Sequence, residues 1–216
     1  MEAVKNLSSP HVGKPFLIIC VNFFLILFSG PFVLVFYIVE IYKDAGLDVN
    51  DYIAAIISTI VRICGGITGI FLARKLPRRI HSMISCTLMG VSLIILGAVF
   101  YLKLNAWKSP ILNILPVICV SLFQFSYGSG AGPLQWVFVG ELLPPEYKVL
   151  SGILVSINAT LMFIIIQIFP TLVENLSSFG TYWIFASFAL SCNVLYYFVL
   201  PETKDLSLLE IKQLFK

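Results

Sequence analysis

PILNILPVICVSLFQFSYGSGAGPLQWVFV, residues 110–139, carries no acid and no base in 30 positions. As an α-helix it would run about 45 Å at 1.5 Å per residue, more than the ~30 Å hydrocarbon core of a bilayer. The stretch therefore reads as a membrane span, and the sequence on either side repeats the pattern. Further apolar runs lie at about 16–39, 52–72, 83–102, 149–170 and 180–200, which with 110–139 predict six spans. The whole chain is 59% hydrophobic and only 12% charged. A soluble domain carries about twice that charge, and a mean hydropathy of +0.97 agrees. The fold class expected is an all-α membrane protein of six transmembrane helices. A polar arm (1–15) precedes the bundle (16–200), and a tail (201–216) with apolar residues at helical spacing follows it as an amphipathic surface helix.

Charge sets the orientation. With six spans, ten Lys/Arg fall on the side shared by the two ends, and Lys43, Lys103 and Lys108 fall on the other. Both ends are therefore expected in the cytoplasm. The basic residues flank spans and form no single patch, so no nucleic-acid partner is expected. Cys20, Cys64, Cys86, Cys119 and Cys192 lie in apolar runs without metal-ligand spacing, and His11 and His81 lie outside the spans. No catalytic set, metal site or cofactor motif emerges, and an enzyme is not expected.

Polar and helix-breaking groups inside spans each need a reason. In 110–139, Tyr127, Gly128, Gly130, Gly132, Pro133, Gln135 and Trp136 crowd together. Gly128, Gly130, Gly132 and Pro133 should loosen the helix into a hinge, a device used where backbone lines a protein cavity. Trp136 offers an apolar ring and one donor, which suits the face of a sugar. Close helix packing with a structural tryptophan is the competing reading. Arg62 sits about ten residues into the second span, either facing a solute path or snorkelling to a helix end. Gly65, Gly66 and Gly69 beside it read as a packing face. Asn158 in the fifth span either binds solute or bridges helices. Arg78, Arg79, Glu141, Lys148 and Glu202 cluster at the cytoplasmic ends of spans. They form either an ion-pair latch between conformations or ordinary positive-inside charge.

Several motifs together resemble one family. Gly132-Pro-Leu-Gln-Trp136, Gly140-Glu-Leu-Leu-Pro-Pro-Glu-Tyr-Lys148 and Pro201-Glu-Thr-Lys204 are similar, in order and spacing, to signatures of the sugar porter family of the major facilitator superfamily. Lys14-Pro-Phe-Leu, Phe28-Ser-Gly30, Phe36-Tyr37, Ala45-Gly46 and Arg78-Arg79 join them. The order matches helices 7–12 of that family, and the branch of insect facilitated trehalose transporters is the one most resembled. The resemblance implies facilitated diffusion of a hexose or trehalose-like sugar by alternating access. This chain would be the C-terminal half, partnered by an N-terminal six-helix half or by a second copy, in the lipid bilayer of the plasma membrane.

Residue by residue, the resemblance assigns the substrate wall to Trp136 and Asn158; Tyr127, Gln135 and Arg62, read from their polar character inside spans, are the further candidates for that wall. It assigns an outer gate to Tyr37 and the inner charge network to Arg78, Arg79, Glu141, Lys148 and Glu202. The family's paired glutamines fall here at Ile26 and Leu27, and a following asparagine at Phe32. The proline before its tryptophan is Gln135, and the tryptophan after its asparagine is Ala159. Ile and Leu cannot hydrogen-bond hydroxyls. This departure motivates a second reading, a non-transporting membrane sensor or partner, and a start at the boundary between the family's two halves motivates a third, an incomplete and inactive fragment. No Asp or Glu lies inside a span, which favours uniport over proton coupling.

Overall fold

The computed structural model describes residues 10–47, 50–105, 107, 109–143, 148–204 and 210. Its helices are α1 (Pro10–Phe28), α2 (Val33–Phe36), α3 (Ile38–Ala45), α4 (Asp51–Lys75), α5 (Arg78–Leu104), α6 (Pro110–Ser126), α7 (Gly132–Leu142) and α8 (Lys148–Phe198). A five-residue π-helical turn, Tyr127–Ala131, joins α6 to α7. Among the described residues there is no β-strand.

Five stretches are long and apolar enough to cross a bilayer: Val12–Phe36, Asp51–Lys75, Arg78–Leu104, Pro110–Leu142 and Val149–Phe198. The fifth accounts for two crossings. The 51 residues of α8 would measure about 76 Å if straight. They are interrupted at Ser177, whose φ of 63° and ψ of 162° are not helical. Limbs 148–176 and 178–198 result, making six spans among the described residues.

The boundaries differ from the sequence expectation in two places. Helix α1 starts at Pro10, inside the segment expected to be a polar arm. The fifth span does not stop at Pro170 but runs on to the break at Ser177. Proline costs a helix the hydrogen bond to the carbonyl four residues earlier, here that of Ile166. The Tyr37 hydroxyl donates to that carbonyl oxygen across the bundle at 3.4 Å. A span can hold its proline when a neighbouring helix re-satisfies the freed group. The amphipathic tail helix expected over 206–215 lies outside the described residues, apart from Glu210.

The first span is broken by its own glycines. After Phe28 the chain turns through Gly30 at φ 84°, and α3 closes on Gly46 at φ 59°. Such values favour glycine. Helix α5 is the centre of the bundle, packing on α8 and α6. Helix α1 packs on α8, and α4 on α6 and the π-helical turn. The core is aliphatic and aromatic, with Phe23, Phe123, Phe138, Phe185, Tyr182 and Tyr196 fully buried or nearly so. Asn22 is buried among them, and its Oδ1 accepts from the Tyr196 hydroxyl at 2.8 Å. Helix α4 is the least covered, with one apolar side, including Ile56, Ile60, Ile63, Ile67 and Ile70, left exposed by the bundle.

Gly30→Ala tests the break in the first span. A Cβ there would sit 2.6 Å from Cδ2 of Phe185 in addition to the unfavourable φ. The substitution should cost at least about 1–3 kcal/mol, lowering the unfolding midpoint of the detergent-solubilised protein in a thermal melt followed by tryptophan fluorescence.

Candidate functional site

The glycine and proline cluster of the fourth span produces a widened turn rather than an unwound hinge. The backbone through Tyr127–Ala131 stays helical, and the N–H of Gly132 reaches back five residues to the carbonyl of Tyr127. Pro133, next in line, has no N–H to return to Ser129. A π-bulge inserts one extra residue per turn and disturbs the local hydrogen-bond ladder. Ser85 of α5, buried, answers the disturbance: its Oγ accepts from Ala131 N–H at 2.9 Å and donates to the Ser126 carbonyl at 2.6 Å. Nothing in the sequence around Ser85 signals this role.

Helix α4 lies directly against the widened turn. A Cβ on Gly65 would fall 2.5 Å from the Phe125 carbonyl oxygen, and one on Gly69 would overlap that of Ser129. From the other side, a Cβ on Gly128 would stand 2.6 Å from the Arg62 carbonyl oxygen. The small-residue face expected of α4 is thus used for backbone-to-backbone packing at Gly65 and Gly69. Gly66 lines a cavity instead.

That cavity has a volume of about 780 Å³ and lies between α2, α4, α6 and α7. Arg62, Gln124, Tyr127, Gly128, Gly132, Pro133 and Trp136 line it on the polar and glycine side; Phe32, Val35, Phe36 and Ile63 supply apolar wall. The Arg62 guanidinium lies over the Tyr127 ring at 4.9 Å and donates to Oε1 of Gln124 at 3.4 Å. Gln124 is itself buried and donates through Nε2 to the Leu34 carbonyl at 3.3 Å. Trp136 is 42% exposed and leans on Phe23 at 5.3 Å between ring centroids. Its indole is therefore held on one side and reachable on the other.

The structure thus gathers Arg62, Tyr127, Trp136 and the turn residues Gly128, Gly132 and Pro133 around one cavity, with Gly130 packed behind against Ser85. Other expected site residues stand elsewhere. Gln135 is buried behind the wall, its Nε2 3.5 Å from the Tyr127 hydroxyl and its Oε1 unpaired. Asn158 is buried with no partner for its Nδ2 and does not line the cavity. Tyr37 stacks near Phe169 at 4.9 Å and bonds Ile166, also away from the cavity. Ile26 and Leu27 are fully buried in the bundle. Phe32, Phe36, Val35 and Thr59 were not singled out as wall by the sequence. The stretch that carries the first two is too short and irregular for its facing side to be read from periodicity.

A second cluster joins helix ends. Both Glu202 carboxylate oxygens cap α5, accepting the backbone N–H of Arg78 at 2.9 Å and of Arg79 at 3.1 Å. Glu202 also accepts from Lys204 N–H at 3.0 Å. The first N–H groups of a helix have no internal partner, and negative charge is favourable there. Arg78 Nε is 3.4 Å from Glu141 Oε1, and Glu141 Oε2 accepts from the Thr203 hydroxyl at 2.6 Å. The Arg79 guanidinium lies over Tyr197 at 5.1 Å and donates to its carbonyl. Arg78, Arg79, Glu141 and Glu202 thus tie α5, α7 and the segment after α8 together. The Lys148 side chain lies outside the described residues.

The profile of the family described as "Sugar (and other) transporter" matches residues 2–215. The chain is 31% identical over 190 residues to the facilitated trehalose transporter Tret1 of Drosophila yakuba, covering 86% of this chain and 22% of that one. It is 30% identical over 213 residues to Tret1 of Polypedilum vanderplanki, covering 98% of this chain and 42% of that one. Among solved structures, it resembles the proton:xylose symporter XylE, a major facilitator superfamily protein bound to 6-bromo-6-deoxy-D-glucose. That match has a TM-score of 0.79 at 21% identity, over 93% of this chain and 42% of that one. The chain spans less than half the length of these relatives.

Glu202→Ala leaves two helix N-terminal donors and the Lys204 N–H without their acceptor. It should destabilise the bundle by about 1–2 kcal/mol, while Glu202→Gln, which keeps one acceptor oxygen, should lose less. Paired thermal melts of the two variants check the order.

Proposed function

The chain belongs to the family of sugar (and other) transporters, and on that premise we propose that it forms the C-terminal six-helix half of a facilitator. The facilitator moves a sugar, a hexose or a trehalose-like disaccharide, by facilitated diffusion with alternating access. The chain is a multi-pass integral membrane protein. The proposal sets it in the plasma membrane with both ends in the cytoplasm. The other wall of the pathway is supplied by an N-terminal six-helix half or by a second copy.

One observation carries the reading: the cavity formed by Arg62, Tyr127 and Trp136 at a widened turn in mid-span. Membrane helices keep irregular backbone where it is packed or lines a cavity, and here it does both. Trp136 presents a reachable ring face to that space. Asn158, with a buried amide unpaired within the bundle, does not share that cavity and is no longer a candidate for its wall. The exposed apolar side of α4 gives the other wall of the pathway a surface to meet. The cluster of Arg78, Arg79, Glu141 and Glu202 acts as the inner latch, closed in this conformation, and Lys148 is proposed to belong to it. Tyr37, bonded to Ile166, ties α2–α3 to α8 and so couples the outer part of the first span to the fifth.

A second reading draws on Ile26 and Leu27. They stand where the resembled family carries paired glutamines and offer no amide to a solute, which is what a non-transporting sensor or partner protein would tolerate. Binding without flux would favour it.

Trp136→Ala in the natural protein should reduce uptake of radiolabelled trehalose or glucose at least about tenfold, the scale of truncating one aromatic anchor in a binding site, with surface expression unchanged. Normal uptake by the variant would contradict the site.

A further inference from the structure

The charge balance of the cavity carries a further inference, one that rests on reading the cavity as the substrate path. Arg62 is held but not neutralised. Its two neighbours are a neutral amide, Gln124 Oε1 at 3.4 Å, and the face of Tyr127 at 4.9 Å. Among the described residues no carboxylate lies within 4.0 Å of it, and its Nε and Nη2 make no hydrogen bond. Every other residue lining the cavity is uncharged. A guanidinium in mid-span is costly unless paired, and its planar fork matches a carboxylate with two parallel hydrogen bonds.

The rest of the lining points away from a solute made only of hydroxyls. Phe32, Val35, Phe36 and Ile63 offer only apolar surface, and Trp136 an apolar ring face with a single donor. Of the hydroxyls, Thr59 donates to Ala55 at 2.9 Å, and that of Tyr127, a buried residue, accepts from Gln135 Nε2 at 3.5 Å. Polar groups taken from water without replacement bonds weaken binding. A solute with one carboxylate for Arg62 and a ring face for the aromatic wall satisfies more of the site.

We propose that the cavity selects a monoanionic sugar acid over the corresponding neutral sugar, with Arg62 as the residue that reads the carboxylate. Gln124 and Tyr127 position the guanidinium: Gln124 is locked by its bond to Leu34, so its oxygen faces Arg62. Removing the charge therefore changes selectivity between two solutes of the same shape, and retaining a cation preserves it.

The test uses the natural full-length protein in proteoliposomes, with uptake of radiolabelled D-glucuronate and D-glucose measured side by side. Glucuronate uptake should exceed glucose uptake by about tenfold or more, the scale of a charge-assisted hydrogen bond. Arg62→Gln should abolish that preference, and Arg62→Lys should retain part of it. Preference for glucose in the unaltered protein overturns the proposal yet leaves transport standing. So does an Arg62→Gln variant that impairs both solutes equally, which would mean that Arg62 pairs with a carboxylate elsewhere in the protein. Uptake of neither solute contradicts this inference, and absence of trehalose uptake as well contradicts the transport reading with it.

Discussion

The interaction on which the rest of the site depends is backbone against backbone: the glycine face of α4 pressed on the widened turn Tyr127–Ala131. In hydrocarbon, a carbonyl or N–H without a partner costs several kcal/mol. A helix can therefore widen only where neighbours complete its ladder. Ser85 does so from α5, accepting from Ala131 and donating to Ser126. Gly65 and Gly69 let α4 approach the same turn from the other side. That approach brings Arg62, one helical turn before Gly66, over the ring of Tyr127. The widened turn, the glycine face and the half-buried cation are parts of one arrangement, and the cavity is the space they leave.

The two ends of the bundle solve a related problem differently. At the end carrying most of the basic residues, the unpaired N–H groups of α5 are capped by a carboxylate from beyond the last span, and Arg78 meets Glu141 from α7. The pair is partly exposed, so the ion pair itself contributes little. The backbone caps matter more, because they tie helices distant in sequence. A cluster built from surface-accessible polar bonds can open without unfolding the apolar core, which is what a latch between conformations requires.

Much of this was legible in the sequence. The six spans follow from long apolar runs, and the family from motifs centred on Trp136, Glu141 and Glu202. The sequence also pointed to Arg62, Tyr127 and Trp136, since polar or amphipathic groups in hydrocarbon stand out. What was not legible depended on partners distant in the chain. Pro170 reads as a helix end, and only the Tyr37 hydroxyl, bonded to the Ile166 carbonyl it frees, explains why the helix continues. The glycines before Pro133 read as an unwound hinge, because nothing local announces Ser85 as the clamp. Phe32 and Phe36 entered the wall unannounced, since the turn at Gly30 sets which way α2 faces. Asn158 and Gln135 looked like wall residues; Gln135 is buried behind Tyr127, and Asn158 is buried in the bundle on α8, which does not line the cavity.

The central claim is that the space beside Arg62 is an aqueous solute path and not a lipid-filled crevice. Cysteine labelling measures this directly. Thr59→Cys, made in a background with the exposed Cys64 replaced by serine, places a thiol on the cavity wall. A small, charged, membrane-impermeant methanethiosulfonate should modify it in intact membranes. Labelling by a lipid-soluble maleimide alone would show that the cavity opens to lipid, and would contradict the account.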